Sequence, residues 1–238
     1  VKSSPETRLL FCWKVLGMKY KFVVFDWNGT LIDDADANLA GCNACLTQFG
    51  KEPITLERYR DTMDFPVIHA YVRNGIDPDE YLAKFQEIGI SFLDTYKKAA
   101  KTAPLRRGAK ELLDWMLDRN MTLMVLSNFL QHELELQMTE RDVLQYFRHI
   151  NGNIAFNELE HTRTTKLERL KAVMDEHGYA PEETVIIGDS LEEPDLARKL
   201  GLTAVSVTWG CLSKERLEKG GGDHLIDELE QLREILQR

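Results

Sequence analysis

The stretch Lys21-Phe22-Val23-Val24-Phe25-Asp26-Trp27-Asn28-Gly29-Thr30-Leu31 decides how this chain folds. Lys21 to Trp27 is a nearly continuous apolar run that closes on an acidic residue, and Asn28-Gly29-Thr30 then breaks it. A strand buried on both faces reads as such a run, and a polar, glycine-containing break marks its passage into a loop. Asp26 is therefore expected at the carboxyl end of a buried parallel strand.

Three later stretches repeat the pattern. Met121 to Ser127 (MTLMVLS) ends in Ser127-Asn128, Thr184 to Ile187 ends in Gly188-Asp189-Ser190, and Thr203 to Thr208 stops at Trp209-Gly210. Helical patterns at Gly108 to Arg119, Thr164 to His177 and Pro194 to Leu200 separate them. This alternation predicts an α/β fold with a doubly wound parallel sheet, in which ligands collect at the carboxyl ends of the strands. Three of the four predicted strands end in polar residues able to do chemistry.

Between the first two strands the alternation lapses. Helical stretches are predicted at Ala35 to Phe49, Leu56 to Met63, Val67 to Arg73 and Asp79 to Ala100, with no buried strand among them. Residues 33–104 thus read as a helical insertion of about seventy residues, near the lower size limit of a domain. The core is expected to comprise residues 18–32 and 105–238. Residues 1–17 read as an N-terminal extension or expression remnant ahead of a native start at Met18.

Composition narrows the function. The 238 residues are 43% hydrophobic and 29% charged, as in an ordinary soluble globular protein. No apolar run reaches the roughly 20 residues of a membrane-spanning helix. A net charge of −9 argues against general affinity for nucleic acid or anionic membrane, so an anionic ligand must meet a local positive site. The four cysteines, Cys12, Cys42, Cys45 and Cys211, lack the density of a disulfide scaffold, which suggests a reducing, cytoplasmic compartment. Cys42-Asn-Ala-Cys45 has redox or zinc spacing, but no second pair or nearby His completes a zinc set, and two helical core thiols are expected.

Phe25-Asp26-Trp27-Asn28-Gly29-Thr30-Leu31, Ser127-Asn128, Lys166 and Gly188-Asp189-Ser190 resemble, in order and spacing, the four motifs of the haloacid dehalogenase-like superfamily. The helical insertion looks like that family's cap. Thr208-Trp209-Gly210-Cys211-Leu212-Ser213-Lys214-Glu215 and Asp223-His224-Leu225-Ile226-Asp227 look most like its phosphoglycolate phosphatase-type members. The resemblance implies a Mg²⁺-dependent phosphatase acting on a small phosphorylated metabolite. Asp26 would attack phosphorus and form an aspartyl phosphate, splitting one hard hydrolysis into two easier steps. Asp26, Asp189 and the backbone carbonyl of Asn28 would hold Mg²⁺. Ser127 and the Asn128 amide would bind the phosphoryl oxygens, and Lys166 would supply positive charge, with Lys171 as its competitor.

Two departures qualify this. Family phosphatases usually carry an aspartate at the position of Asn28, where it protonates the leaving oxygen, and a carboxamide exchanges no proton near neutral pH. Either the leaving group needs little protonation, as in acyl phosphates, phosphoanhydrides or aryl phosphates, or another residue supplies the proton, with Asp33, Asp34 and His69 as candidates. The third option is a catalytically weak or silent relative acting as a binding or regulatory module. Glu193 stands where a second aspartate is usual, with Asp195 further on. Gly201 falls at the expected distance from Glu193, which suggests a longer arm to a metal-bound water. Neither the metal-free dehalogenases, with a tyrosine-like side chain at the Asn28 position, nor the phosphonate-cleaving branch, with alanine there and a cap lysine, matches. Arg58, Arg60, His69 and Arg73 are possible anion contacts from the insertion. The sequence sets no oligomeric state.

Overall fold

The computed structural model describes residues 18–154 and 165–237. Cys12, the extension 1–17 and the Thr164 end of a predicted helix lie outside them. Six parallel strands, β1 (Phe22–Phe25), β2 (Thr122–Leu130), β3 (His149–Asn153), β4 (Thr184–Gly188), β5 (Thr203–Val207) and β6 (His224–Ile226), form one sheet in the order β3-β2-β1-β4-β5-β6. The four predicted strands occupy its centre, where apolar runs are expected. Two strands were not foreseen. β3 reads His-Ile-Asn-Gly-Asn and β6 has three residues; both lie at the sheet edges, where short polar segments can pair.

Side chains alternate cleanly between the faces. Val23, Phe25, Leu123, Val125, Val185, Ile187, Val205 and Val207 join one buried cluster, while Phe22, Val24, Met124, Leu126, Ile186 and Ala204 join another. The first face is covered by α6 (Ala109–Leu117), α7 (Gln131–Glu140) and α11 (Leu232–Leu236), and the second by α8 (Lys166–His177) and α9 (Glu192–Leu200). Burial on both faces is why the central strands read as apolar runs instead of alternations.

The segment between β1 and β2 is helical up to α6, as expected: α1 (Ala35–Gln48), α2 (Leu56–Thr62), α3 (Ile68–Arg73), α4 (Pro78–Ala83) and α5 (Phe85–Ala100). The single helix expected from Asp79 to Ala100 is broken at Lys84, and Asp77 caps α4 by accepting the N–H groups of Asp79 and Glu80. Helices α1 and α5 pack on each other, and Gly41 of α1 lets the Phe92 ring approach, since a Cβ there would lie 2.8 Å from it. Cys42 and Cys45 are buried thiols in α1, as expected, and burial raises both, Cys42 to about 12. α10 (Lys214–Gly220) follows β5 and joins this helical layer through Leu217. No helix among the described residues is long and apolar enough to cross a membrane.

The strand order places β1 between β2 and β4, so the chain leaves β1 to one side and returns on the other. The crevice at that reversal, outside the carboxyl ends of β1 and β4, is where open α/β sheets bind ligands. Asp26 directly follows β1 and Asp189 directly follows β4, and the Asp26 N–H bonds the Ile187 carbonyl at 2.8 Å.

Candidate active site

Lys166 opens α8, and its position is fixed locally by a reciprocal cap. Thr165 Oγ1 accepts the Glu168 N–H at 3.2 Å, and Glu168 Oε2 accepts the Thr165 N–H at 2.8 Å. From there the buried Lys166 ammonium reaches Asp26 Oδ2 at 3.0 Å, Glu193 Oε1 at 2.9 Å and Glu192 Oε2 at 3.4 Å. Lys171, its competitor, is exposed and pairs with Asp175 one turn along α8. Of the two lysines, Lys166 is the one in contact with Asp26.

The carboxylates outnumber that lysine. Asp26, Asp189 and Glu193 are all buried. Asp189 Oδ2 accepts the Cys211 N–H at 2.6 Å, and Asp26 Oδ1 accepts the Trp27 N–H at 2.7 Å. Burial pushes the Asp26 carboxyl well above the usual carboxylate range; Lys166 opposes the rise, and Glu193 and Asp189 add to it. Burial likewise raises Asp189, followed by the charge of Glu193. Burial would raise Glu193 too, but Lys166 and a Ser190 hydrogen bond outweigh it and hold Glu193 below its ordinary value. Lys166 stays an ammonium because its three carboxylates outweigh its own desolvation. Four carboxyl groups around one ammonium leave a surplus of potential negative charge, which the raised Asp26 and Asp189 relieve by holding protons and which a bound cation would relieve instead.

That surplus has the donor chemistry of a hard-cation site. Asp26 and Asp189 offer carboxylate oxygens and Asn28 a backbone carbonyl, a set that suits a small ion keeping several waters. No three His, Cys, Asp or Glu side chains among the described residues converge as a closed metal cluster. The main chain is drawn tightly over Asp189: a Cβ at Gly29 (φ +66°) would lie 2.2 Å, and one at Gly210 2.1 Å, from its Oδ2. Both positions need glycine.

Ser127 and Asn128 lie inside β2, which runs on to Leu130 instead of ending at Ser127; the β2–β3 register shifts between Leu126 and Leu130. Ser127 Oγ accepts the Phe129 N–H at 3.1 Å, which leaves its own proton for another acceptor. The Asn128 side chain donates to Glu192 Oε2 at 2.7 Å. Glu193 has one oxygen on Lys166 and the other on Ser190 Oγ at 2.7 Å. Asp195 is half exposed and pairs with Lys199.

Asn28 is held by residues that carry no recognisable spacing. Its Nδ2 donates to Asp34 Oδ2 and to the Tyr96 hydroxyl, each at 2.7 Å. Tyr96 in turn donates to Asp34 Oδ2 at 2.6 Å, and the Gly29 N–H donates to Asp34 Oδ1 at 2.7 Å. Gln137 and Trp27 extend the chain of hydrogen bonds. With both amide hydrogens spent on the buried Asp34–Tyr96 pair, the carboxamide oxygen of Asn28 is the atom left to the cavity it lines. Asp34, one of three candidate proton carriers, is thus wholly buried beneath Asn28, while Asp33 is exposed on Arg106 and His69 is exposed on α3. Glu192 and Tyr96 were missed in the sequence because only the fold brings them here.

Asp26, Asn28, Ser127, Asn128, Lys166 and Asp189 all line one cavity of about 360 Å³ between the strand ends and helices α1 to α5. Arg58, Arg60 and Arg73 do not line it. Their guanidinium groups bind, respectively, the Arg73 carbonyl, the Trp209 and Gly210 carbonyls, and the Thr62 carbonyl with Asp64.

Comparison with known proteins agrees with this geometry. The model of the haloacid dehalogenase-like hydrolase family matches residues 23–207. A phosphoglycolate phosphatase of Synechococcus elongatus is 23% identical over 205 residues, 86% of this chain and 92% of its own. A 5′-nucleotidase of Pseudomonas aeruginosa is 24% identical over 231 residues, 92% of this chain and 97% of its own. Among solved structures, a haloacid dehalogenase-like family hydrolase from Streptococcus pneumoniae superposes with a TM-score of 0.74 at 20% identity, covering 91% of this chain and 99% of that one.

Replacing Lys166 leaves buried carboxylates without their ammonium, a loss of about 3–5 kcal/mol for a broken buried pair. Lys171→Met should fall within about 0.5 kcal/mol of the parent, as exposed substitutions do. Urea unfolding of Lys166→Met and Lys171→Met at neutral pH checks this; equal stabilities would show that Lys166 does not hold the acids together.

Proposed function

The chain belongs to the haloacid dehalogenase-like hydrolase family, and we propose that it is a Mg²⁺-dependent phosphatase that dephosphorylates a small metabolite through an aspartyl phosphate on Asp26. The observation that carries this reading is the Asp26 carboxylate at the strand reversal, 3.0 Å from a buried ammonium and lining the cavity. The names of the similar enzymes, phosphoglycolate phosphatase and 5′-nucleotidase, support a phosphate monoester as substrate.

In this mechanism a carboxylate oxygen of Asp26 attacks phosphorus and the bond to the leaving oxygen breaks. Water then cleaves the aspartyl phosphate, releasing inorganic phosphate and restoring Asp26. Lys166 and the Ser127 hydroxyl stabilise the charge on the transferring oxygens, and Asn128, whose side chain is engaged by Glu192, contributes through its main-chain N–H. Mg²⁺, held by Asp26, Asp189 and the Asn28 carbonyl, would offset the repulsion between these carboxylates and the phosphate. Glu193 positions Lys166. Helices α1 to α5 serve as the cap that covers the reacting groups and limits their exposure to bulk water.

Asn28 also favours a second reading, a silent relative that binds a phosphorylated ligand without turning it over. Assays on phosphorylated metabolites and p-nitrophenyl phosphate, with Mg²⁺ and with chelator, separate the two. Turnover should require Mg²⁺ and fall by about 10³-fold or more in Asp26→Ala. Absence of metal-dependent turnover, or its survival in Asp26→Ala, would sink the phosphatase reading.

The Asn28–Asp34 contact changes how the missing acid should be tested. Asn28→Asp alone sets two carboxylates against each other, whereas Asn28→Asp with Asp34→Asn exchanges the pair and keeps the hydrogen bond. The double variant should speed alkyl phosphate cleavage by about 10-fold or more, within the usual range of general acid catalysis, and aryl phosphate cleavage much less. Equal effects on both series would show that leaving-group protonation is not limited by Asn28.

A further inference from the structure

The cavity changes character away from Lys166. Its walls beyond the polar groups are apolar and aromatic, including Met63, Phe65, Tyr81, Phe85, Phe92 and Phe129. Lys166 is the one basic side chain among the described residues that lines it, and that ammonium already faces Asp26, Glu192 and Glu193. The three arginines of α2 and α3 are spent on protein carbonyls and on Asp64. A substrate bearing a carboxylate besides its phosphate would bury that charge among rings with no free cation among the described lining residues to meet it, an arrangement proteins avoid. A flat apolar body would instead find the kind of wall that binds aromatic ligands.

Asn28 supplies a second, independent observation. Both its amide hydrogens are held by Asp34 and Tyr96, so the group beside the leaving oxygen is a fixed acceptor with no proton to give. A departing aliphatic alkoxide needs a proton, whereas an aryloxide does not: a phenol such as tyrosine ionises at about 10, against about 15.7 for water. Cavity wall and missing acid select the same leaving group.

Building on the phosphatase reading, we infer that the substrate is an aryl phosphate, a phosphate monoester of an apolar aromatic alcohol, and not a phosphorylated carboxylic acid. Asp26 displaces the aryl oxygen from phosphorus, the bonding electron pair leaves on the aryloxide, and the aryloxide takes its proton from solvent. Water then hydrolyses the aspartyl phosphate, so that aryl phosphate and water give phenol and inorganic phosphate. Phe85, at the edge of Tyr81, forms part of the wall against which the ring packs.

The test uses the full chain with Mg²⁺ and four probes: 1-naphthyl phosphate, 2-naphthylmethyl phosphate, acetyl phosphate and 2-phosphoglycolate. The first has both aromatic body and good leaving group; the second has only the body, the third only the leaving group, and the fourth neither. The expected kcat/KM for 1-naphthyl phosphate exceeds that for 2-phosphoglycolate by roughly 100-fold, the scale on which pocket complementarity discriminates. Equal or faster turnover of 2-phosphoglycolate overturns the inference and leaves the phosphatase reading intact. If none of the probes is turned over, the phosphatase reading fails by itself, and calorimetric binding of 1-naphthylmethylphosphonate against phosphonoacetate decides the cavity's preference. Tighter binding of the naphthyl compound, weakened roughly 10-fold in Phe85→Ala, supports it. Equal or tighter binding of phosphonoacetate overturns it.

Discussion

The buried ammonium of Lys166 is the contact on which the rest of this site depends. It lies within 3.4 Å of three carboxylates from two places in the chain: Asp26 after β1, and Glu192 and Glu193 at the start of α9. Removing charge from water is costly, and such a cluster persists only where its geometry is good and its remaining lone pairs are bonded. The Thr165 cap, the Ser190 hydroxyl on Glu193 and the Asn128 amide on Glu192 meet that demand. Held in this way, Asp26 faces the cavity from the end of β1 with an ammonium on one side and Asp189 close by.

Much of this was legible in the chain because its central strands are buried on both faces. Val23, Val24, Leu123, Met124, Val185 and Ile186 leave a continuous apolar signature, and polar residues at the strand ends announce the crevice. β3 and β6 were not legible, since His149-Ile150-Asn151-Gly152-Asn153 and a three-residue strand take their pairing from neighbours and not from their own pattern. The break at Lys84 escaped for a related reason: α4 and α5 follow one another with no proline or glycine between them.

The site divides along the same line. Asp26, Asn28 and Asp189 follow strands, Ser127 lies within β2 and Lys166 opens a helix, in an order that sequence motifs record. Asp34 was visible as a candidate, but its burial under Asn28 and its bond to Tyr96, 62 residues away, depend on α5 packing back against α1. The choice between Lys166 and Lys171 also needed the fold, because only one side of α8 faces Asp26. The commitment of Arg58, Arg60 and Arg73 to main-chain carbonyls had no signature at all, and it is what turns a cavity in an acidic protein toward apolar ligands.

Covalent chemistry at Asp26 underlies every other step of the proposed mechanism, since the proposed roles of Lys166, Asp189 and Asn28 are defined relative to it. Rapid quenching of the protein during turnover of an aryl phosphate, followed by peptide mass spectrometry, tests this most directly. A phosphoryl adduct on the peptide containing Asp26, formed with Mg²⁺ and lost in Asp26→Asn, is the expected result. Turnover with the phosphoryl group on another residue would contradict it.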